Sequence, residues 1–162
     1  MECVRWYKLN YQHSPHLNEF FFTSSTSVYP DSNQHWDEDG IIEQVTERSK
    51  ILLDVEQLFL EMPLKSTIFR LAGLMGPGRM PNPSKVKDIG LQSKINLVHR
   101  DDVISIMTRF IKSDYPSGIY NICSDEHPSK NEFYTTYAKK NQLAIPKLNL
   151  KNDNWKIILN NK

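Results

Sequence analysis

The sequence predicts an α/β fold whose strands pair in parallel, and three observations lead there. Short runs of strand type, EFFFT at 19–23 and STIFRLA at 66–72, alternate with segments whose apolar residues recur at helical spacing. Phe20, Phe21 and Phe22 follow one another without polar alternation, as in a strand buried on both faces. The helical segments carry their own start and stop residues.

Taken in order, residues 1–18 stay ambiguous: Val4, Tyr7, Leu9 and Tyr11 form one face of a short helix that Pro15 would stop. Glu19 to Thr23 is the first strand, and it runs into the hydroxyl cluster Ser24, Ser25, Thr26 and Ser27. Small polar residues of this kind make turns, but a parallel sheet also binds ligands outside the carboxyl ends of its strands. Tyr29 to Val45 is polar and reads as a loop. Ile51, Leu52, Val55, Leu58, Phe59 and Met62 mark a helix over 46–62 that ends before Pro63. Ser66 to Ala72 is a second buried-type strand, which opens into the broken loop GLMGPGRMPNP. Ile95 to Val98 is a short strand. Asp101 or Asp102 then caps a helix carrying Val103, Ile106, Met107 and Phe110. Gly118 to Ile122 is a further strand, and Ser129 with Glu132 forms a capping box ahead of Phe133 and Tyr137. Residues 147–162 are a poorly defined tail in which Trp155, Ile157, Ile158 and Leu159 alone indicate packing.

The bulk properties exclude several functions. Twenty basic and 19 acidic side chains leave a net charge of +1, which argues against a nucleic-acid polymer as partner. The lysines toward the C-terminus read as a solvated surface. Cys3 and Cys123 lie too far apart to announce a disulfide framework, and no apolar run nears the roughly 18 residues of a membrane span. The first residues lack the apolar core of a signal peptide. A cytoplasmic protein without a membrane partner is expected. No Cys or His stands at zinc spacing and no G-x-S-x-G surrounds a serine, so neither a metal site nor a serine hydrolase is expected. His99 reads as a packing residue.

Six pieces stand in one order: FFFTSSTSVYPD, WDED at 36–39, ERSKILLDVEQ at 47–57, TIFRLAGLMGPGR at 67–79, INLVHRDDV at 95–103 and GIYNICSDEHPS at 118–129. Together they resemble the NAD-dependent epimerase/dehydratase group of the extended short-chain dehydrogenase/reductases. The likeness is closest to its atypical branch of nucleoside-diphosphate-sugar epimerases. The resemblance implies an NAD(P)-binding Rossmann-like sheet with flanking helices and a small C-terminal substrate lobe. It also implies NAD or NADP as cofactor and a nucleotide sugar or other small molecule as substrate. Such proteins begin with a Gly-rich turn that holds the cofactor pyrophosphate at a helix N-terminus. No glycine here precedes Gly40, and in GLMGPG an arginine and two prolines follow where that helix would start. Residues 1–162 are therefore expected to form a single partial domain, the C-terminal half of the family fold. The strand at 19–23 would then lie at an open edge, ready for self-association or for a complementing N-terminal half.

In this family a Ser or Thr, a Tyr and a Lys act together on the nicotinamide cofactor. The resemblance places the hydroxyl at Ser25, the lysine of Y-x-x-x-K at Lys50 and the tyrosine position at Thr46. It sets Ser24, Ser25, Lys50 and the Leu71–Leu74 backbone, with Gly73, against the cofactor. An aliphatic hydroxyl cannot replace a phenol of pKa about 10 as a proton shuttle near neutral pH. Tyr29 is the nearby phenol, and Gly73 stands where nucleotide-sugar enzymes commonly carry an Asn. Each residue also has a plainer role: Thr46 as a helix N-cap, Lys50 as a solvated lysine, Ser25 as a turn hydroxyl. Two readings follow, a weakly active or inactive epimerase/dehydratase-like protein and a non-catalytic binding or regulatory module of the same fold.

Overall fold

In the computed structural model, residues 16–43, 46–83, 92–145 and 154–162 are described, with positions 5, 9, 10, 86 and 90. Most of the ambiguous N-terminal segment, with Cys3, lies outside them. β1 (Glu19–Ser25) is followed by a single 3-10 turn (Thr26–Val28), β2 (Gln34–Trp36), α1 (Glu47–Leu60), β3 (Lys65–Leu71) and β4 (Gly73–Met75). β5 (Leu97–His99), α2 (Arg100–Lys112), β6 (Gly118–Ile122), α3 (Lys130–Lys140) and β7 (Lys156–Ile158) complete the order. β1, β3 and β6 form a parallel sheet in the order β1-β3-β6, with Ser25 opposite Leu71 and Leu71 opposite Ile122. The α/β class expected from the sequence is the one observed.

The period-two alternation of β1 and β3 sorts their side chains between two helices. Phe20 and Phe22 reach Phe59 of α1, with ring centroids 5.8 and 4.7 Å away, and Ile68 of β3 joins them. On the other face Phe21 stacks on Phe69 at 6.0 Å, and Phe69 meets Phe110 of α2 edge-on at 5.0 Å. Ile68 and Phe69 are fully buried. Side chains of this size each contribute about 1.5–3 kcal/mol by leaving water. The three phenylalanines therefore serve a sheet covered on both sides.

Three short strands escaped the sequence reading. β2 falls inside the expected loop and β7 inside the expected tail, and they pair with each other in parallel. β4 lies in the Gly/Pro-rich segment and pairs with β5. A three-residue strand has no periodicity to read; it exists because its partner is delivered from far along the chain. The cap of α2 also differs from expectation. His99 is the N-cap, its Nδ1 accepting the backbone N–H of Asp101 at 3.3 Å, while Asp101 and Asp102 occupy the first turn. Ser129 caps α3 as expected, accepting from the N–H of Glu132.

Thr46 caps α1. Its hydroxyl accepts the N–H of Ser49 at 3.1 Å, and the Ser49 hydroxyl accepts the N–H of Thr46 at 2.8 Å. Thr46→Ala is expected to lower stability by about 0.5–2 kcal/mol, read from urea denaturation, because this reciprocal pair satisfies two helix-end donors. No helix among the described residues is long and apolar enough to cross a membrane.

Candidate functional site

A cleft of about 610 Å³ opens at the carboxyl ends of β1 and β3. Its lining includes the hydroxyl cluster Ser24–Ser27 and the Leu71–Leu74 segment where β3 passes into β4. α3 supplies Lys130 and Tyr134 to the lining, and β7 supplies Lys156. The sheet thus delivers Ser24, Ser25, Leu71, Gly73 and Leu74 to one place.

Local hydrogen bonds hold these groups. The Ser25 hydroxyl accepts the Ser27 N–H at 3.1 Å, which leaves its own proton to donate. The Thr26 hydroxyl reaches the Leu71 carbonyl at 3.4 Å. At Gly73 the backbone N–H donates to the Asn96 carbonyl at 3.0 Å. A Cβ there would lie 2.8 Å from Leu97 Cδ2 and 3.1 Å from the Asn96 oxygen. Gly73 is therefore a close-approach glycine between β4 and β5, and the first atom of any side chain would press toward β5.

Beneath the cleft runs a buried polar chain that the sequence did not reveal. The Ser24 hydroxyl donates to Glu56 Oε1 at 2.5 Å, and Arg70 bonds the same carboxylate through Nε and Nη2, the latter at 2.7 Å. Arg70 Nη1 donates to the Tyr29 hydroxyl at 2.7 Å, which donates to Asn121 Oδ1 at 2.9 Å. The Asn121 N–H donates to Glu38 Oε1 at 2.8 Å, and Glu38 also accepts the Asn161 N–H. Ser24, Tyr29, Glu38, Glu56, Arg70 and Asn121 are all buried. The chain links α1, all three strands of the sheet and the C-terminal segment, so it sets where the ends of β1 and β3 stand.

Tyr29 belongs to this support. Its ring stacks on Trp36 at 5.5 Å, and it is not among the groups lining the cleft. Burial raises its pKa, an effect the Arg70 charge partly offsets. Thr46 and Lys50 sit at the exposed start of α1 and are not among the cleft-lining residues either. Cys123 is a buried free thiol, pushed up to about 11 mainly by burial.

Arg79, Lys94, Lys130 and Lys156 line the cleft against one carboxylate, Asp31. Lys156 is already engaged, lying 3.3 Å from Asp31 and donating to the Tyr29 carbonyl. Arg79, Lys94 and Lys130 have no ion-pair partner among the described residues. Tyr134, four residues on from Lys130 along α3, also lines the cleft, and burial raises its pKa. None of these five was singled out for the site from sequence. Lys130 and Tyr134 are four apart on a capped helix, which shows one face but not what it faces. Among the described residues no group of three or more metal-binding side chains occurs.

No family model matches the chain. Protein YeeZ of Escherichia coli K12 is 37% identical over 134 residues, covering 80% of this chain and 48% of its own length. The chain spans about half the length of the curated relatives it matches. Among solved structures, the UDP-glucuronic acid 4-epimerase of Bacillus cereus, in complex with NAD, superposes with a TM-score of 0.74 at 16% identity. That match covers 97% of this chain and 55% of the epimerase chain. RMD of Pseudomonas aeruginosa, complexed with NADPH, gives 0.69 at 17% identity, covering 88% of this chain and 57% of the other. The fold is that of the NAD-dependent epimerase/dehydratases, as the sequence resemblance implied.

Proposed function

We propose that the chain forms the cofactor- and substrate-facing part of an NAD(P)-dependent nucleotide-sugar epimerase/dehydratase of the cytoplasm, with weak or no turnover by itself. The observation that carries this is the convergence of Ser24, Ser25, Leu71, Gly73 and Leu74 on one cleft that is also lined by cations without an ion-pair partner among the described residues. In this reading the Ser25 hydroxyl donates to the reacting oxygen and the Leu71–Leu74 backbone lies against the nicotinamide. NAD or NADP, when bound, supplies hydride transfer. Arg79 and Lys94 match the two charges of a nucleotide diphosphate. The resemblance gives Lys50 the ribose-binding role, from a place at the start of α1 outside the lining of this cleft.

Thr46 favours the second reading, a non-catalytic binding module. Its hydroxyl is committed to the helix cap, so the tyrosine position supplies no titrating group. Fluorescence titration with NADH tests the cofactor assignment. Saturable binding weaker than about 10 μM, roughly −7 kcal/mol, is expected, and Ser25→Ala should weaken it further. No saturable binding up to about 10 mM NADH would remove the cofactor and leave the module.

β1 has one strand neighbour among the described residues, β3. A second parallel partner, from another copy or from a complementing N-terminal half, fits its other edge. Sedimentation equilibrium at micromolar concentration is expected to show self-association; a stable monomer would place that edge under cover.

A further inference from the structure

Resting on the nucleotide-sugar reading, we propose that the cleft selects a sugar carrying an acidic group, whose carboxylate is taken by Lys130 and Tyr134. Three cations of the cleft, Arg79, Lys94 and Lys130, lack a carboxylate partner among the described residues. A sugar diphosphate neutralises two of them. The backbone at Lys94 is tied to the start of α3, where Lys94 pairs with Ser129 and the Lys130 N–H donates to the Ser93 carbonyl at 2.7 Å. With Arg79 and Lys94 taken by the diphosphate, Lys130 is the cation left without a counter-ion, and an anion beside it is favoured. Lys156 adds no free charge, since Asp31 already faces it.

The chemistry of the α3 wall narrows which anion. Lys130 and Tyr134 stand one helical turn apart, and both line the cleft. One is a charged donor. The other is a neutral phenol, a hydrogen-bond donor with no hydrogen-bond partner among the described residues. A carboxylate accepts from both at once, one oxygen to each, through charge-assisted hydrogen bonds. A neutral sugar hydroxyl in the same place would leave the Lys130 charge without a counter-ion.

Calorimetric titration with UDP-glucuronic acid and UDP-glucose, which differ at one sugar carbon, tests this. The native chain is expected to bind the acid about tenfold more tightly or better, and Lys130→Gln or Tyr134→Phe should bring the ratio toward one. Both ligands report on the same folded protein, so a loss of stability in a variant does not mimic the change in ratio. A native ratio near one, or a preference that survives both substitutions, overturns the assignment while the nucleotide-sugar reading stands. Binding of neither ligand overturns both.

Discussion

Glu56→Ala is expected to lower the unfolding free energy by about 3–5 kcal/mol, because it leaves a guanidinium buried without its counter-ion. Arg70 is 4% exposed, and Glu56 accepts hydrogen bonds from it and from Ser24. The loss is large beside the roughly 5–15 kcal/mol total of a typical domain, so urea denaturation should show a much earlier midpoint. Replacing both partners, Glu56→Leu with Arg70→Met, should recover part of the stability by removing the charge as well as its partner. Equal losses in the single and double variants would mean that packing around α1, rather than the charge, sets the cost. Stability and site geometry meet here, since Ser24 immediately precedes Ser25, the proposed donor to the reacting oxygen.

Phe69→Ala should cost a similar amount, about 3–5 kcal/mol, as a truncated aromatic at the centre of a packed core. Phe69 is fully buried and meets Phe21, Phe110 and Tyr120, so β1, β6 and α2 all lose a contact at one point. Phe69→Leu retains most of the apolar volume and is expected to lose clearly less. Thermal denaturation of the two variants checks the order. A Phe69→Ala protein melting with the native one would show that the sheet can collapse onto the missing ring.

Much of the fold was legible because it rests on local signals. The Phe20–Phe22 run, the apolar spacing of α1 and the Ser129 cap each name an element within a few residues of its observed bounds. Part of the site was legible for the same reason: the end of β1 and the turn after β3 are strand ends, where parallel sheets present ligand-facing groups. The resemblance named Ser24, Ser25, Leu71, Gly73 and Leu74, and the structure brings them to one cleft. Thr46 and Lys50 carry a motif spacing that sequence displays, but their place on the exposed first turn of α1 follows from how that helix packs.

The sequence by itself determined the α/β class, the order of the longer elements and the strand ends where the cleft opens. Those depend on periodicity, capping and side-chain volume over neighbouring residues. Tertiary structure alone decided that β2 pairs with β7, that Glu56 and Arg70 neutralise each other beside Ser24, and that Lys130 and Tyr134 line the same cleft as the hydroxyl cluster. Pairing across more than a hundred residues, and the meeting of a helix carboxylate with a strand guanidinium, leave no local period. They are fixed only when burial makes an unpaired charge or an unpaired strand edge costly, and burial is a property of the folded chain.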